Sequence, residues 1–445
     1  MPEKRRYKNY PAPSRVSNLR SGSAYESLRP PSSRTVRWLL AAAGGALFAA
    51  SFPPSDLYPL AWIALVPLLE AIRRSPTPRG AWVTGTLGFL ALYVGAGWWG
   101  WNHYHLEPAL AATAPLLLMP VLLGAPCAGA VLLRRRLGAA AGAAGLVAGV
   151  TAIEWSLFQG PWALPWLLIG HSQANAFPFN QLADPFGVLG LSVWVWTVNL
   201  GVWAGWTRLR YGFWDGGSRP GRERWPRAGP GWSWTSLLIP FLLVAGAYGY
   251  GLHQLNRYGP DPGDGTSADG SRSLELLLVQ PGLAAPAWTE LGAERAGRLR
   301  SLTDSLLGAS GGSPPDPDLI LWPETALPAE ASAPGDPVRS GLTAWSRARG
   351  IRLLTGAVVA TRRARPPVPE GDGLLNSALL TGVPGDSRRY DKRRLVPFAE
   401  QVPGARWWPR LRQLALGGNP AGAAGFTGYR VGRTPPVLEV GDWTV

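Results

Sequence analysis

Cysteine, histidine and lysine are scarce in this chain of 445 residues. Its only cysteine is Cys127, and its four histidines are scattered, which excludes a disulfide framework and a cysteine-rich metal site. His103 and His105 form an H-x-H pair, but no third ligand lies near them in sequence, so we interpret both as ordinary interfacial histidines. We therefore expect neither a bound metal nor any other cofactor.

Charge is also sparse, at 16% of the residues, and it is unevenly distributed. Before about residue 255 the sequence consists of long, nearly charge-free apolar blocks, whereas the remainder has the mixed composition of a soluble domain. The net charge is +15, yet residues 253–445 contain 22 basic and 19 acidic residues and no basic stripe with interleaved aromatics. Nucleic acid is therefore not an expected partner.

Seven apolar runs in the first part are candidates to cross a bilayer, which takes about 17 to 25 residues. They lie at residues 37–52, 57–72, 81–101, 109–133, 137–158, 186–206 and 235–252, and the first two are short. Buried helices of a soluble protein are the alternative interpretation. Tryptophans near many run ends favour the membrane, because tryptophan is enriched at the membrane–water interface. Residues 37–252 are thus predicted to form a polytopic helical membrane domain.

Basic residues outside the soluble part occur in every second connection between these runs. They fall in residues 1–37, 73–79, 134–136 and 208–227, whereas residues 53–56, 102–108 and 159–185 contain no lysine or arginine. By the positive-inside rule, the basic tail 1–36, which we expect to be disordered, is cytoplasmic. An odd number of crossings then places residues 253–445 on the extracytoplasmic side.

Two features of the membrane part leave alternatives open. Residues 160–181 are apolar but interrupted by prolines, which predicts an interfacial segment that shapes an access path for lipid, or else a packed connection without a ligand. Glu154 lies in the fifth run, near its outer boundary. It either faces the bundle interior, with a possible membrane-side role, or is simply solvated.

The C-terminal part alternates β-rich runs with amphipathic stretches, which predicts an α/β layered domain. Strands are expected at residues 274–280, 318–322, 351–360 and 374–381, and helices at 290–307 and 337–349. Residues 259–271 and 362–372 are turn-rich and predict surface loops.

Glu324, in the segment DLILWPETALP, is the first chemical candidate. It follows a short apolar strand, and open α/β sheets carry their sites at the carboxyl ends of strands. Partly apolar surroundings are expected to raise its pKa toward that of a useful base. A helix N-terminal glutamate stabilised by the helix dipole is the alternative.

Lys392, in YDKRRLVPFAE, is the only lysine among residues 253–445, which contain 21 arginines. The other basic residues of this part are arginines, whereas this position carries the compact ammonium of lysine. An ammonium suits an oxyanion or a thiolate better than a guanidinium does. A surface lysine beside Arg393 and Arg394 is the alternative. Glu400, eight residues later, supplies a second carboxylate that could orient the site.

Together, these motifs resemble apolipoprotein N-acyltransferase, in which a membrane bundle is fused to an extracytoplasmic domain of the nitrilase, or carbon–nitrogen hydrolase, superfamily. They are WPETALP, YDKRRLVPFAEQVP, Val279–Gln280 followed by Trp288, and PWLLIGHSQ after Glu154. The resemblance runs from about residue 37 to 445. It implies that the helical bundle lies in the bacterial inner membrane and that the soluble domain, in the periplasm, is an αββα sandwich.

The resemblance also implies a Glu–Lys–Cys triad that passes an acyl chain from a phospholipid, through a cysteine thioester, to the N-terminal amine of a diacylglyceryl-cysteine apolipoprotein. Carried over by position, Glu324 is the base, Lys392 stabilises the oxyanion, Glu400 is a supporting carboxylate and Trp288 lines the lipid pocket. The partners implied are thus a phospholipid donor, an apolipoprotein acceptor and the membrane.

This sequence departs from the family pattern where the nucleophile is expected, in a Cys-aromatic-Glu motif after a strand like residues 437–445. Cys127 lies in the fourth apolar run and is interpreted as a small buried residue. We therefore expect a nitrilase-like domain that is incomplete at its C-terminus and a chain that is inactive as written, either a fragment or an early-terminated frame. Leu157 also stands where the family is expected to place an arginine. The alternatives are a non-catalytic membrane remnant that binds lipid or a protein partner, and a membrane-tethered amide hydrolase.

Overall fold

The computed structural model describes eleven stretches of the chain. They are residues 34–98 without 56, 106–212 without 161–162, 230–258, 274–308 without 284, 317–360, 373–382, 388–397, 400–401, 428–433, 439–440 and 443–444. Several parts of the predictions lie outside these stretches: residues 1–33, His103, His105, the Arg-rich residues 213–227 and the predicted loops 259–271 and 362–372.

Helices dominate residues 34–258. In chain order they are α1 (Arg34–Ala49), a 3-10 helix (Tyr58–Trp62), α2 (Val66–Arg73), α3 (Pro78–Ala96), α4 (Leu106–Leu137), α5 (Ala139–Ser156), a second 3-10 helix (Ile169–Gln173), α6 (Phe177–Asn180), α7 (Ala183–Gly212) and α8 (Pro230–Tyr258). The helix α7 bends at Gly187, whose φ of 65° is not helical. Because α1 begins at Arg34, the predicted tail boundary at residue 36 is slightly too late.

Four helical stretches in the described part are long and apolar enough to cross a membrane. They are Leu117–Leu137, Ala139–Ser156, Ala183–Arg208 and Leu238–Tyr258. They correspond to the last four of the seven predicted runs, and the remaining crossings stay predictions.

The second predicted span, residues 57–72, is not one continuous helix but a 3-10 helix followed by α2, and its crossing stays a prediction. Pro67 near the start of α2 cannot donate a backbone hydrogen bond to a preceding turn. Asn199 of α7, fully buried, satisfies the interrupted backbone instead: its Oδ1 accepts from the Leu65 amide at 2.9 Å and its Nδ2 donates to the Ala61 carbonyl at 2.7 Å. A side chain distant in sequence thus stabilises the break.

Glu154 is buried at 4% exposure, so the alternative in which it is solvated is wrong. Its Oε1 accepts a hydrogen bond from the Ile169 amide at 2.7 Å, and the next amide, of Gly170, donates to Ser192 Oγ at 2.9 Å. Gln173, also buried, accepts from the indole of Trp62 at 3.1 Å. Residues 169–173 are therefore packed into the bundle, which favours a packed connection over an interfacial segment for this part of 160–181.

The C-terminal part contains a mixed sheet in the strand order β1-β2-β3-β4-β5. Its strands are β1 (Leu276–Leu278), β2 (Leu319–Leu321), β3 (Leu353–Ala360), β4 (Leu374–Thr381) and β5 (Arg388–Asp391). The pairs β1–β2 and β2–β3 are parallel, and β3–β4 and β4–β5 are antiparallel. Two further short strands, β6 (Glu439–Val440) and β7 (Trp443–Thr444), pair with each other.

The described helices of this domain are α9 (Ala285–Glu290), α10 (Glu294–Gly308), a 3-10 helix (Ala329–Ala331) and α11 (Pro337–Ala348). Asp336 caps α11 by accepting from the Val338 amide at 2.8 Å, and Pro337 occupies the first turn, where its missing N–H is harmless. Leu299 of α10 and Trp345 of α11 pack with Ile320 and Leu353 of the sheet in one apolar core. The predicted α/β domain is confirmed at this level, whereas α9 and β5 were missed.

Candidate active site

Glu324 lies at the carboxyl end of β2, in a turn that is fastened to β3. The Gly356 amide donates to the Pro323 carbonyl at 3.2 Å, and the Leu327 amide donates to the Gly356 carbonyl at 3.0 Å. A Cβ on residue 356 would come within 2.5 Å of the Glu324 Cα, so this close approach needs glycine. Thr325 has a φ of 59°, a left-handed conformation that a β-branched residue rarely adopts. The turn that presents Glu324 is thus strained and held by its neighbours.

Lys392 follows β5 and reaches both predicted carboxylates. Its backbone amide donates to the Asn376 carbonyl of β4 at 2.8 Å. Its Nζ lies 3.1 Å from Glu324 Oε1 and 2.8 Å from Glu400 Oε1. The other oxygen of Glu400 accepts from the Val396 amide at 2.7 Å, which orients the carboxylate. Glu324 and the pair Lys392 and Glu400, which lie far apart in the sequence, therefore meet in one cluster.

Asn376 is a member of this cluster that the sequence reasoning missed. It is 4% exposed, and its Nδ2 donates to Glu324 Oε1 and, at 2.8 Å, to Glu400 Oε1. One amide group thus bridges the two carboxylates that share Lys392. A signal was present in the sequence, since the Asn-Ser pair in LLNSALL interrupts an otherwise apolar strand.

The charges in the cluster shift its pKa values. Burial alone would raise the pKa of Glu324, but hydrogen bonds from Asn376 and Lys392, together with the lysine charge, hold it below its ordinary value. The expected upward shift was therefore wrong, because sequence reasoning could not place the ammonium against this carboxylate. Burial would lower the pKa of Lys392, but Glu400 first and Glu324 second hold it above its ordinary value.

Tyr429 lies close to the same charges. Burial, followed by the proximity of Glu400 and Glu324, raises its pKa to about 12, and the charge of Arg295 opposes this shift. Its backbone amide donates to the Glu400 carbonyl at 2.7 Å. The segment around residue 429 is thus joined to the backbone of Glu400.

Arg295 of α10 fastens the Glu324 turn to Trp288. The guanidinium is buried, donates to the Thr325 carbonyl at 3.0 Å and to the Trp288 carbonyl at 2.6 Å, and lies over the Trp288 ring at 5.2 Å. The Trp288 indole in turn donates to Thr325 Oγ1 at 3.2 Å. Arg295 was also missed, because an arginine in an amphipathic helix is normally exposed.

A cleft of about 870 Å³ opens beside the cluster. Its lining combines apolar residues with charged ones: Leu321, Trp322, Glu324, Leu354, Thr355, Gly356, Asn376, Ser377, Ala378, Tyr390, Lys392, Arg393, Arg394, Val431 and Gly432. Trp288 is not among the described residues that line this cleft, and its role as a lining residue of the lipid pocket stays a prediction.

Cys127 lies in α4, fully buried, and its thiol donates weakly to the Leu123 carbonyl at 3.7 Å. It is not among the residues that line the cleft. Within the described stretches, no group of three or more His, Cys, Asp or Glu side chains is arranged to hold a metal ion. Among the described residues that line the cleft, the cluster itself supplies a carboxylate, an ammonium and an amide.

Comparisons with known proteins cover both parts of the chain. A family model described as the apolipoprotein N-acyltransferase N-terminal domain matches residues 44–201. The apolipoprotein N-acyltransferase of Geobacter metallireducens is 31% identical over 412 residues, which cover 88% of this chain and 70% of that protein. The protein of the same name from Chlorobaculum tepidum is 27% identical over 415 residues, covering 87% and 68% respectively. One from Bordetella bronchiseptica is 30% identical over 429 residues, covering 86% and 70%.

Proposed function

The chain belongs to the apolipoprotein N-acyltransferase family, and from this membership we propose that its cleft transfers an acyl chain from a phospholipid to the N-terminal amine of a diacylglyceryl-cysteine lipoprotein. The observation that carries the proposal is the meeting of Glu324, Lys392 and Glu400 beside the cleft. A carboxylate base next to an ammonium is the arrangement that acyl transfer through a thiolate requires.

We propose the following roles. Glu324 takes the proton of the attacking thiol, whose sulfur bonds to the ester carbonyl while the bond to the lysophospholipid oxygen breaks and that oxygen is protonated. Lys392 donates to the oxyanion of each tetrahedral intermediate, and Glu400 and Asn376 hold Lys392 and Glu324 in place. In the second half-reaction the lipoprotein amine bonds to the thioester carbonyl, the carbon–sulfur bond breaks, and Glu324 receives the amine proton.

The thiol in this scheme is not Cys127, which is buried in α4. We therefore propose that a polypeptide of these 445 residues alone forms no thioester, because residues that act as a unit lose their effect without the nucleophile. We also propose that the mixed sheet with α10 and α11 forms part of a nitrilase-like αββα sandwich, and that Trp288 lines the lipid pocket.

The distribution of basic residues supports a proposed orientation. Arg73, Arg74 and residues 134–136 are predicted to face the cytoplasm together with the N-terminal tail. We propose that the protein resides in the bacterial inner membrane with its α/β domain in the periplasm, where it meets its lipoprotein acceptor.

The test uses protein translated from the complete reading frame, together with phospholipid labelled in its acyl chain. We expect a hydroxylamine-sensitive label on the protein, and transfer of that label to a lipoprotein amine when the acceptor is added. Glu324→Gln and Lys392→Met should each abolish the labelling without loss of folded protein. Reading the coding sequence beyond codon 445 should reveal an in-frame Cys-aromatic-Glu.

Two results would contradict the proposal. Release of the label as free acid, with no transfer to an added amine, would indicate an amide or ester hydrolase. Absence of any label, with a stop codon directly after Val445 in independent clones, would indicate a membrane remnant that binds lipid or a protein without catalysis.

A further inference from the structure

Residues 428–432 lie against the backbone at Lys392 and at Glu400. The Tyr429 amide donates to the Glu400 carbonyl at 2.7 Å, and the Gly432 amide donates to the Lys392 carbonyl at 2.9 Å. One short segment thus joins the backbones of the two residues that supply the ammonium and its supporting carboxylate.

Strand β4 fixes both sides of this junction. The Arg430 amide donates to the Leu374 carbonyl, at the start of β4, at 2.8 Å. Asp391, the residue before the lysine, pairs with Ser377 of β4, whose hydroxyl donates to the Asp391 carboxylate at 2.7 Å. The segment and the end of β5 are therefore both held on the same strand, and neither can move away from the other without loss of these bonds.

Glycines stand at the two ends of the segment. A Cβ on Gly432 would overlap the Asp391 carbonyl oxygen and lie 2.6 Å from its carbonyl carbon. Gly428 has a φ of 108°, and a Cβ there would lie 2.8 Å from the Glu400 carbonyl oxygen. Both contacts are with backbone atoms, which cannot rotate away as a side chain can, so the close approach at each end requires glycine.

We propose that residues 428–432 position the Lys392 ammonium, because they fix the backbones of Lys392 and Glu400 while the two side chains meet at 2.8 Å. Gly432 and Gly428 are then positioning residues, since a side chain at either one separates the segment from its partners and moves the ammonium away from the carboxylates. The consequence for acyl transfer rests on the proposed function, in which Lys392 serves the oxyanion from this position.

The first measurement is the amine reactivity of Lys392 in the full chain of 445 residues in a neutral detergent. Trace acetylation with acetic anhydride, followed by mass spectrometry, gives this reactivity relative to Lys4 and Lys8, the only other lysines of the sequence. Only the neutral amine is acylated, so the raised pKa of Lys392 should keep its reactivity low. Gly432→Ala should raise the reactivity about tenfold, which corresponds to a fall of about one unit in that pKa.

The charged groups around the ammonium are the same in these variants. Among the described residues, Glu324 and Glu400 contact it, Tyr429 lies near both carboxylates, and Arg393 and Arg394 line the same cleft. A change in reactivity therefore reports the distances within the cluster rather than the loss of a charge.

Gly350→Ala is the matched control in the same domain. Gly350 has a φ of 68°, and no described atom lies within 4 Å of an added Cβ, so alanine there is strained but touches nothing. It should leave the reactivity ratio unchanged. Gly428→Ala should raise the ratio, and it carries the test if Gly432→Ala does not accumulate as folded protein.

The second measurement uses protein translated from the complete reading frame and separates catalysis from binding. Gly432→Ala should lower the kcat of acyl transfer by about 10- to 100-fold with little change in KM, because displacement of a catalytic group by about 1 Å costs rate on this scale. Gly350→Ala should keep both constants.

The outcomes separate this inference from the proposed function. Unchanged reactivity of Lys392 in a folded Gly432→Ala or Gly428→Ala chain, or an equal rise in Gly350→Ala, would overturn the positioning role and leave the acyltransferase proposal standing. A rise confined to the first two variants, together with a lower kcat, would support both. The same rise with undiminished acyl transfer would support the positioning of the ammonium and count against the role of Lys392 in the proposed function.

Discussion

Asn376 offers a sharp test of how the cluster is held together. Its amide donates to both carboxylates, but the two bonds differ in environment, since the Glu400 side chain is 12% exposed and that of Glu324 is 59% exposed. A hydrogen bond to a charged group contributes about 1.5 to 3 kcal/mol. The bond to Glu324 is expected to contribute less than about 1 kcal/mol, because solvent screens it.

A double-mutant cycle with Asn376→Ala and Glu400→Ala isolates the better-shielded pair. We expect a coupling energy of about 1.5 to 3 kcal/mol, because each single change already removes the shared bond. The measurement is the local unfolding free energy from hydrogen exchange of the Lys392 amide in the full chain, since that amide donates to the Asn376 carbonyl.

The control cycle pairs Asn376→Ala with Ser301→Ala, whose hydroxyl donates to the Gly297 carbonyl within α10. Its coupling should stay within about 0.5 kcal/mol, the usual error of additivity for independent sites. A coupling this small for Asn376 and Glu400 as well would refute the bridging role.

Three further predictions concern other parts of the molecule. Arg295→Met should lower the stability of the α/β domain by about 2 to 4 kcal/mol in chemical denaturation, because two hydrogen bonds from a buried charge are lost. Arg300, which is half-exposed over Trp345, is the control, and Arg300→Met should cost less than about 1 kcal/mol. Equal losses in the two variants would contradict the role of Arg295 in fastening the Glu324 turn to Trp288. The pKa of Lys392 is raised in the folded state. The stability that this lysine contributes should therefore be complete below its ordinary pKa of 10.5 and decline as the pH rises through the raised pKa. Lys392→Met should remove this alkaline decline in stability, and an unchanged decline would exclude the lysine as its source. Glu154→Leu should lower the stability by about 1 to 3 kcal/mol in thermal unfolding, because it leaves the buried amide of Ile169 without an acceptor. Glu154→Gln keeps an acceptor and should be close to neutral. Equal losses in both variants would refute this explanation.

Four strands and two helices of the α/β domain followed from sequence pattern alone, whereas α9 and β5 did not. The strand at residues 374–381 was predicted with its observed bounds, and α11 with its start at Pro337, because the Asp-Pro pair is a strong helix start signal. Lys392 stood out because its residue type is rare in the chain, and Glu324 because it follows an apolar strand. Such signals are local, so one sequence suffices to detect them.

What the sequence by itself determined is therefore the division into an apolar helical part and an α/β part, the main strands and helices, and the residue types able to carry acyl-transfer chemistry. Only the tertiary structure decided which groups form hydrogen bonds with each other. Asn199 bonds to the backbone at the break before α2, Glu154 to the Ile169 amide, Asn376 to two carboxylates and Arg295 to the Glu324 turn. The same contacts reversed the expected pKa shift of Glu324. The reason is physical, because hydrogen-bond and Coulomb energies depend on distances of a few ångströms between residues whose separation along the chain exceeds a dozen positions.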